Sequence, residues 1–180
     1  MNPTPTGDTR MDDLLRQLPG ARRALFANFH IGGCQSCAYR DEETLAEVCD
    51  RYEIPLAEAQ TCLTRSHEHD LEMLITPTDL QARLHEGTAT LLLDMRTREE
   101  HEAVTIAGSE FLTAERQQEV MSLPPDTSII LFDHTGRDVL DRCSWFRGHG
   151  LKNTYGLRGG IDAWSREVDS TLPRYRLEMD

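Results

Sequence analysis

The 180-residue sequence predicts an α/β domain with a mainly parallel sheet and helices on both faces, preceded by a small all-α domain. Three observations lead there. Thr90-Leu91-Leu92-Leu93-Asp94 and Ser128-Ile129-Ile130-Leu131-Phe132 are short, continuous apolar runs, the form of strands buried on both faces. Segments of helical spacing alternate with these and other strand-like runs, as in a parallel sheet joined by helical crossovers. Before Ser66, apolar residues recur at helical spacing with no strand-like run between them.

Residues 1–10 hold Pro3, Pro5 and Gly7 among polar residues and read as a disordered tail. Residues 11–65 read as the helical domain. Its first helix runs from Met11 to Leu18 and breaks at Pro19-Gly20. A second, Ala21 to Phe29, carries Leu25, Phe26 and Phe29 at helical spacing. After the loop from His30 to Cys37, Asp41 is placed to cap a third helix bearing Leu45, Val48, Cys49 and Tyr52. Pro55 opens a short last helix with Leu56, Ala59, Cys62 and Leu63. The polar run Ser66-His67-Glu68-His69-Asp70 reads as part of a linker over 66–71.

Residues 72–180 form the α/β domain. Its expected strands are Leu74-Ile75, Thr90–Asp94, Glu110–Leu112, Ser128–Phe132 and Asn153–Leu157. Its expected helices are Thr76–Leu84, Glu99–Val104, Glu115–Met121, Asp138–Arg147 and Ile161–Val168.

Composition narrows the function classes. With 19 basic and 31 acidic residues the formal charge is −12, the wrong sign for a general nucleic-acid binder. No apolar run approaches the length of a membrane span, and Met1 to Asp13 lacks the apolar core of a signal peptide. A cytoplasmic protein is expected. Five cysteines, an odd number in such a chain, argue against a structural disulfide framework.

From about Leu71 to the end, the chain resembles a rhodanese-like domain. The resemblance rests on three signatures. Leu92-Leu93-Asp94-Met95-Arg96-Thr97-Arg98-Glu99-Glu100-His101 is similar to the family's strand-Asp-x-Arg-x-x-x-Glu-aromatic opening, with His101 where Phe or Tyr is usual. Ile106-Ala107-Gly108-Ser109 is similar to its Ile-Pro-Gly-Ala turn. Gly148 to Asn153 followed by Leu157-Arg158-Gly159-Gly160-Ile161-Asp162-Ala163-Trp164 carries the most specific match.

The resemblance implies sulfane-sulfur transfer through a cysteine persulfide, held in a Cys-x-x-Gly-x-Arg loop after a buried strand. Loop N–H groups there favour the anionic sulfur and lower the thiol pKa. Here the loop reads Asp133-His134-Thr135-Gly136-Arg137-Asp138. Asp133 stands in the cysteine position and Asp138 where the arginine is usual. A carboxylate forms no stable persulfide, and its charge can occupy the cradle meant for thiosulfate. The family's thiosulfate chemistry is therefore not expected here, and whether the chain is an enzyme stays open. The resemblance makes Asp94 and Arg96 supports of the loop. His134 reads as an exposed loop histidine or, less simply, a general base or proton donor. Cys143 shares a helical face with Val139 and Phe146 and reads as core rather than nucleophile.

The helical domain is similar, over Phe29 to Ile54, to the hybrid-cluster-associated redox disulfide domains. The matching residues are Phe29-His30-Ile31-Gly32-Gly33-Cys34-x-x-Cys37-Ala38, the helix Glu43 to Cys49, and Tyr52-x-Ile54. Cys34 and Cys37 are spaced so that a loop made pliant by Gly32 and Gly33 can bring their sulfurs together. They are the candidate redox or persulfide pair. Cys49 and Cys62 lie on apolar helix faces and read as core. A competing reading gives Cys34, Cys37, His67 and His69 to zinc or iron, with His30 as a substitute, but this is not a common finger spacing.

Together these readings point to a sulfur-relay or thiol-redox accessory protein. Cys34 and Cys37 do the covalent work, no cofactor is required, and the partner is a sulfur-carrier or redox protein. The alternative is a protein-interaction or regulatory module without chemistry. Ester or phosphate chemistry at Asp133 ranks last, because nothing in the sequence supplies a companion base or metal. The sequence does not set the oligomeric state.

Overall fold

The computed structural model describes residues 4–32, 39–87 and 89–175. The chain divides into two compact units at Glu72/Met73. Among the described residues, no helix is long and apolar enough to cross a membrane.

The first unit holds α1 (Met11–Gln17), α2 (Ala21–Phe29), α3 (Leu45–Arg51) and α4 (Leu56–Glu72). Met11, Leu14, Leu25, Leu45, Val48, Ala59 and Leu63 bury together as its core. The cap of α3 is Thr44, not Asp41. The Thr44 side chain accepts from the Glu47 N–H, and the Glu47 carboxylate accepts from the Thr44 N–H at 2.8 Å. This reciprocal capping box satisfies two otherwise orphaned donors, which a lone aspartate three residues upstream does not.

Two further corrections concern the ends of this unit. Residues 4–10 of the expected tail are ordered. Their backbone supplies acceptors to the first turn of α3, with Leu45 N–H donating to the Thr9 carbonyl and Ala46 N–H to that of Gly7, both at 2.9 Å. Those are the donors a helix start leaves without intrahelical partners. The expected linker over 66–71 is the last part of α4. Its residues are polar, but none is a Gly or Pro that would break a helix. Asp70 faces inward and pairs with Arg23.

The second unit is the expected α/β fold. Five parallel strands, β1 (Leu74–Ile75), β2 (Thr90–Asp94), β3 (Glu110–Phe111), β4 (Ser128–Phe132) and β5 (Thr154–Leu157), lie in the order β1-β5-β4-β2-β3. The helices are α5 (Pro77–His85), α6 (Arg98–Ala103), α7 (Ala114–Val120), α8 (Val139–Gly148) and α9 (Gly160–Glu167). Strand alternation divides the apolar side chains between two cores. Leu93, Ile129 and Leu131 meet Val139, Cys143 and Phe146 of α8 on one face. Leu92, Ile130 and Phe132 meet Leu80 of α5 and Ile161 and Trp164 of α9 on the other.

The strand order positions the site. β2 and β4 are neighbours in register, Leu92 opposite Ile130 and Asp94 opposite Phe132. The chain leaves β2 towards β3 on one side and β4 towards β5 on the other. The carboxyl ends of β2 and β4 therefore flank a topological switch point, where open α/β sheets form their ligand crevices. At β5, Gly156 lets α8 approach closely, because a Cβ there lies 2.7 Å from Val139 Cγ2. Gly156→Ala is expected to lower unfolding free energy by about 1–3 kcal/mol through overpacking, with Val139→Ala recovering part of the loss. A urea-denaturation double-mutant cycle measures both.

Candidate functional site

The site begins where β4 runs out. Phe132 is fully buried, and Asp133 turns the chain into a six-residue loop before α8. The Asp133 side chain folds back into that loop. Oδ1 accepts from the Gly136 N–H, and Oδ2 accepts from the Asp138 N–H at 2.7 Å. Gly136 is at φ +78°, and a Cβ there meets the Gly159 nitrogen at 2.5 Å, so only glycine permits both the turn and the contact.

The start of α9 supports the loop from below. Ile161 N–H donates to the Asp133 carbonyl at 3.0 Å and Asp162 N–H to that of His134 at 3.1 Å. Asp133 is 8% exposed, and burial raises its carboxyl above the ordinary aspartate range. The N–H groups of Asp138, Gly136 and Thr135 pull the other way without cancelling that effect. The Gly136 and Asp138 N–H groups of the loop are thus taken up by its own aspartate.

The carboxyl end of β2 carries a second buried carboxylate. Asp94 has no exposed surface. Its Oδ1 accepts from the Arg96 N–H at 3.0 Å and Nε at 2.9 Å, and its Oδ2 accepts from Nη2 at 2.5 Å. Oδ2 also meets His101 Nδ1 at 2.9 Å and Thr105 Oγ1 at 3.3 Å. Arg96 continues outward, donating to the Val104 carbonyl and to the Tyr175 hydroxyl, each at 2.7 Å. Tyr175 in turn donates to Glu100 Oε1 at 2.7 Å. Burial pushes the Glu100 carboxyl up, but the Tyr175 hydroxyl and the Thr97 N–H and hydroxyl outweigh it and hold it low.

The structure thus brings Asp133, Gly136 and Asp138 together through hydrogen bonds, and Asp94 with Arg96 beside them. Thr135, Arg137 and Asp138 are exposed. His134 is half-buried rather than exposed. Its Nδ1 has no hydrogen-bond partner among the described residues, and its ring meets Tyr175 edge-on at 4.4 Å. Cys143 is buried in the α8 core. In the first unit Cys49 is buried and Cys62 partly so, and burial raises both thiols.

Cys34 and Cys37 lie outside the described residues. His67 and His69 both fall on α4, two residues apart and so on nearly opposite sides of it. That spacing does not turn both imidazoles towards one ion. Among the described residues, no group of three metal-ligating side chains converges. Sequence reasoning matched Glu100 to the family signature without giving it a role, and missed Thr105 and Tyr175. The departure of His101 from an aromatic was the visible signal at this end: its ring still packs on Phe111 at 5.6 Å, while Nδ1 reaches Asp94.

Comparison with known proteins places the site in a family. The rhodanese-like domain profile matches residues 76–167. A probable adenylyltransferase/sulfurtransferase MoeZ of Mycobacterium tuberculosis is 26% identical over 104 residues, covering 56% of this chain and 26% of the relative. The adenylyltransferase and sulfurtransferase uba4 of Ogataea parapolymorpha is 27% identical over 89 residues, covering 48% of this chain and 23% of its own. The chain thus spans about a quarter of these relatives. Among solved structures, a rhodanese-related protein of Thermoplasma volcanium is 24% identical with a TM-score of 0.45, covering 52% of this chain and 91% of its own.

The buried carboxylate makes a pH test. A raised pKa in the folded state means that the fold prefers the protonated Asp133. Its contribution to stability is then fullest below the unfolded aspartate value of about 4 and declines as pH rises through the raised value. In denaturation at a series of pH values, wild type is expected to lose stability relative to Asp133→Asn as pH climbs from about 4 to 7. A constant difference contradicts this.

Proposed function

Because the chain belongs to the rhodanese-like domain family, we propose that it is a sulfur-relay or thiol-redox accessory protein whose rhodanese-like domain does not itself carry sulfur. The observation that supports this is Asp133. It stands at the end of β4, where the family's nucleophilic cysteine is expected, and its carboxylate takes the loop N–H groups that would favour an anionic sulfur. An aspartate offers no sulfur to attack thiosulfate or to bear a persulfide.

The chemistry then falls to Cys34 and Cys37. In a relay, one thiolate attacks the outer sulfur of a donor persulfide, forms its own persulfide and releases the donor thiolate. In a redox cycle, the first thiolate attacks a substrate disulfide, breaking its S–S bond, forming a mixed disulfide and releasing one substrate thiolate. The second thiol then displaces the other substrate thiolate, leaving a Cys34–Cys37 bridge and the reduced substrate. The partner is a sulfur-carrier or redox protein, in keeping with the sulfurtransferase names of the two curated relatives. A second reading, a docking module without chemistry, draws on the exposed Thr135, Arg137 and Asp138 around the filled loop.

Replacing Cys34 and Cys37 together by Ser is expected to reduce persulfide transfer or disulfide reduction by about 100-fold or more. Undiminished activity contradicts the relay reading. A second assay isolates the loop. Asp133→Cys is expected to acquire thiosulfate:cyanide sulfur transfer, its thiolate taking the sulfane sulfur, releasing sulfite and passing the sulfur to cyanide as thiocyanate. An inert Asp133→Cys protein that is still folded contradicts the view that the loop is otherwise competent and lacks only the nucleophile.

A further inference from the structure

We infer that the segment Asp169–Tyr175 is a clasp that restrains loop 133–138 in the conformation described above, with Tyr175 as the positioning residue. The inference rests on the reading that this loop is the functional site of the second unit, and it adds how the loop is held.

The segment is tied down along its length. Asp169 N–H donates to the Trp164 carbonyl at 3.0 Å, and Ser165 Oγ donates to the Leu172 carbonyl at 2.6 Å. Leu172 packs against the α9 core. Arg174 donates twice to the Asp162 carboxylate, at 2.7 and 3.2 Å. These contacts deliver Tyr175 to the junction of the two strand ends.

There it makes three connections. Its hydroxyl accepts from Arg96 Nη1 and donates to Glu100 Oε1, each at 2.7 Å, so the donor and one acceptor position are both used. Its ring meets the His134 ring edge-on at 4.4 Å. Burial, and then the Glu100 carboxylate, push the phenol up to about 12, so it stays protonated and able to donate.

His134 follows Asp133 directly, and the backbones of both are bonded to the start of α9. A ring fixed against His134 therefore restrains the turn in which the Asp133 carboxylate reaches Gly136 and Asp138. The clasp closes the His134 side of the loop and leaves Thr135, Arg137 and Asp138 exposed. A partner that meets the loop does so from that open side.

Amide hydrogen exchange on full-length protein tests the clasp. In Tyr175→Ala, the Gly136 and Asp138 amides are expected to exchange about tenfold faster or more, while the β4 amides Ile129 to Leu131 keep their rates. Tyr175→Phe keeps the ring and loses the hydroxyl bonds. It is expected to speed the two loop amides less and to leave the His134 ring-proton shifts in place, whereas Tyr175→Ala moves them.

Loop amides within about twofold of wild type in Tyr175→Ala overturn the clasp. So do β4 and loop amides accelerated equally in both variants, which would make Tyr175 a contributor to general stability only. Exchange does not depend on sulfur chemistry. An Asp133→Cys protein that fails to transfer sulfur leaves the clasp standing, and unchanged loop exchange removes the clasp whatever the sulfur assay shows.

Discussion

Asp94 is a carboxylate with no exposed surface at the end of a central strand, and the second unit is organised around neutralising it. An isolated buried charge is costly enough that its partners must be fixed in place. Arg96 supplies three N–H donors from its backbone and guanidinium, and His101 and Thr105 complete the shell. The Arg96 guanidinium also lies over the Phe132 ring at 5.5 Å, tying the end of β2 to that of β4. Its remaining donors reach the Val104 carbonyl and Tyr175. One charge pair thus connects β2, α6, the turn after it and the C-terminal segment. Removing one member of such a pair costs about 3–5 kcal/mol, because the other is left buried and unmatched.

The neighbouring loop meets the same problem differently. Among the described residues, Asp133 forms no ion pair with a guanidinium and accepts instead from backbone N–H groups. Its charge is met by backbone N–H dipoles, and burial still raises its pKa. The contrast separates two roles within about one strand spacing, roughly 5 Å. Asp94 belongs to the framework. Asp133 belongs to the loop and is held by its backbone N–H groups, with Gly136 and Gly160 allowing the backbone of α9 to come against the loop. In this account the cradle is satisfied from within, and sulfur chemistry passes to the thiol pair of the first unit.

The strands and the loop were legible because their signals are local. Continuous apolar runs marked β2 and β4, and Asp94 at the end of the first and Asp133 after the second showed where polar groups begin. The misreadings were failures of composition as a guide to structure. Ser66 to Asp70 is polar yet helical, since polarity alone does not end a helix and Asp70 has an inward partner in Arg23. Residues 4–10 carry Pro5 and Gly7 yet are ordered, because the Gly7 and Thr9 carbonyls receive the first N–H groups of α3. Tyr175 left no sequence signal. It lies 79 residues from Arg96 and beyond the last periodic segment, so only the folded chain brings them together.

The most direct measurement of the central claim is intact mass after exposure to a low-molecular-weight persulfide, followed by peptide mapping under native and reducing conditions. The account predicts added sulfur, or a reducible bridge, confined to Cys34 and Cys37, with Cys49, Cys62 and Cys143 unmodified. Five unmodified, slowly reacting thiols would contradict it and place the docking-module reading first.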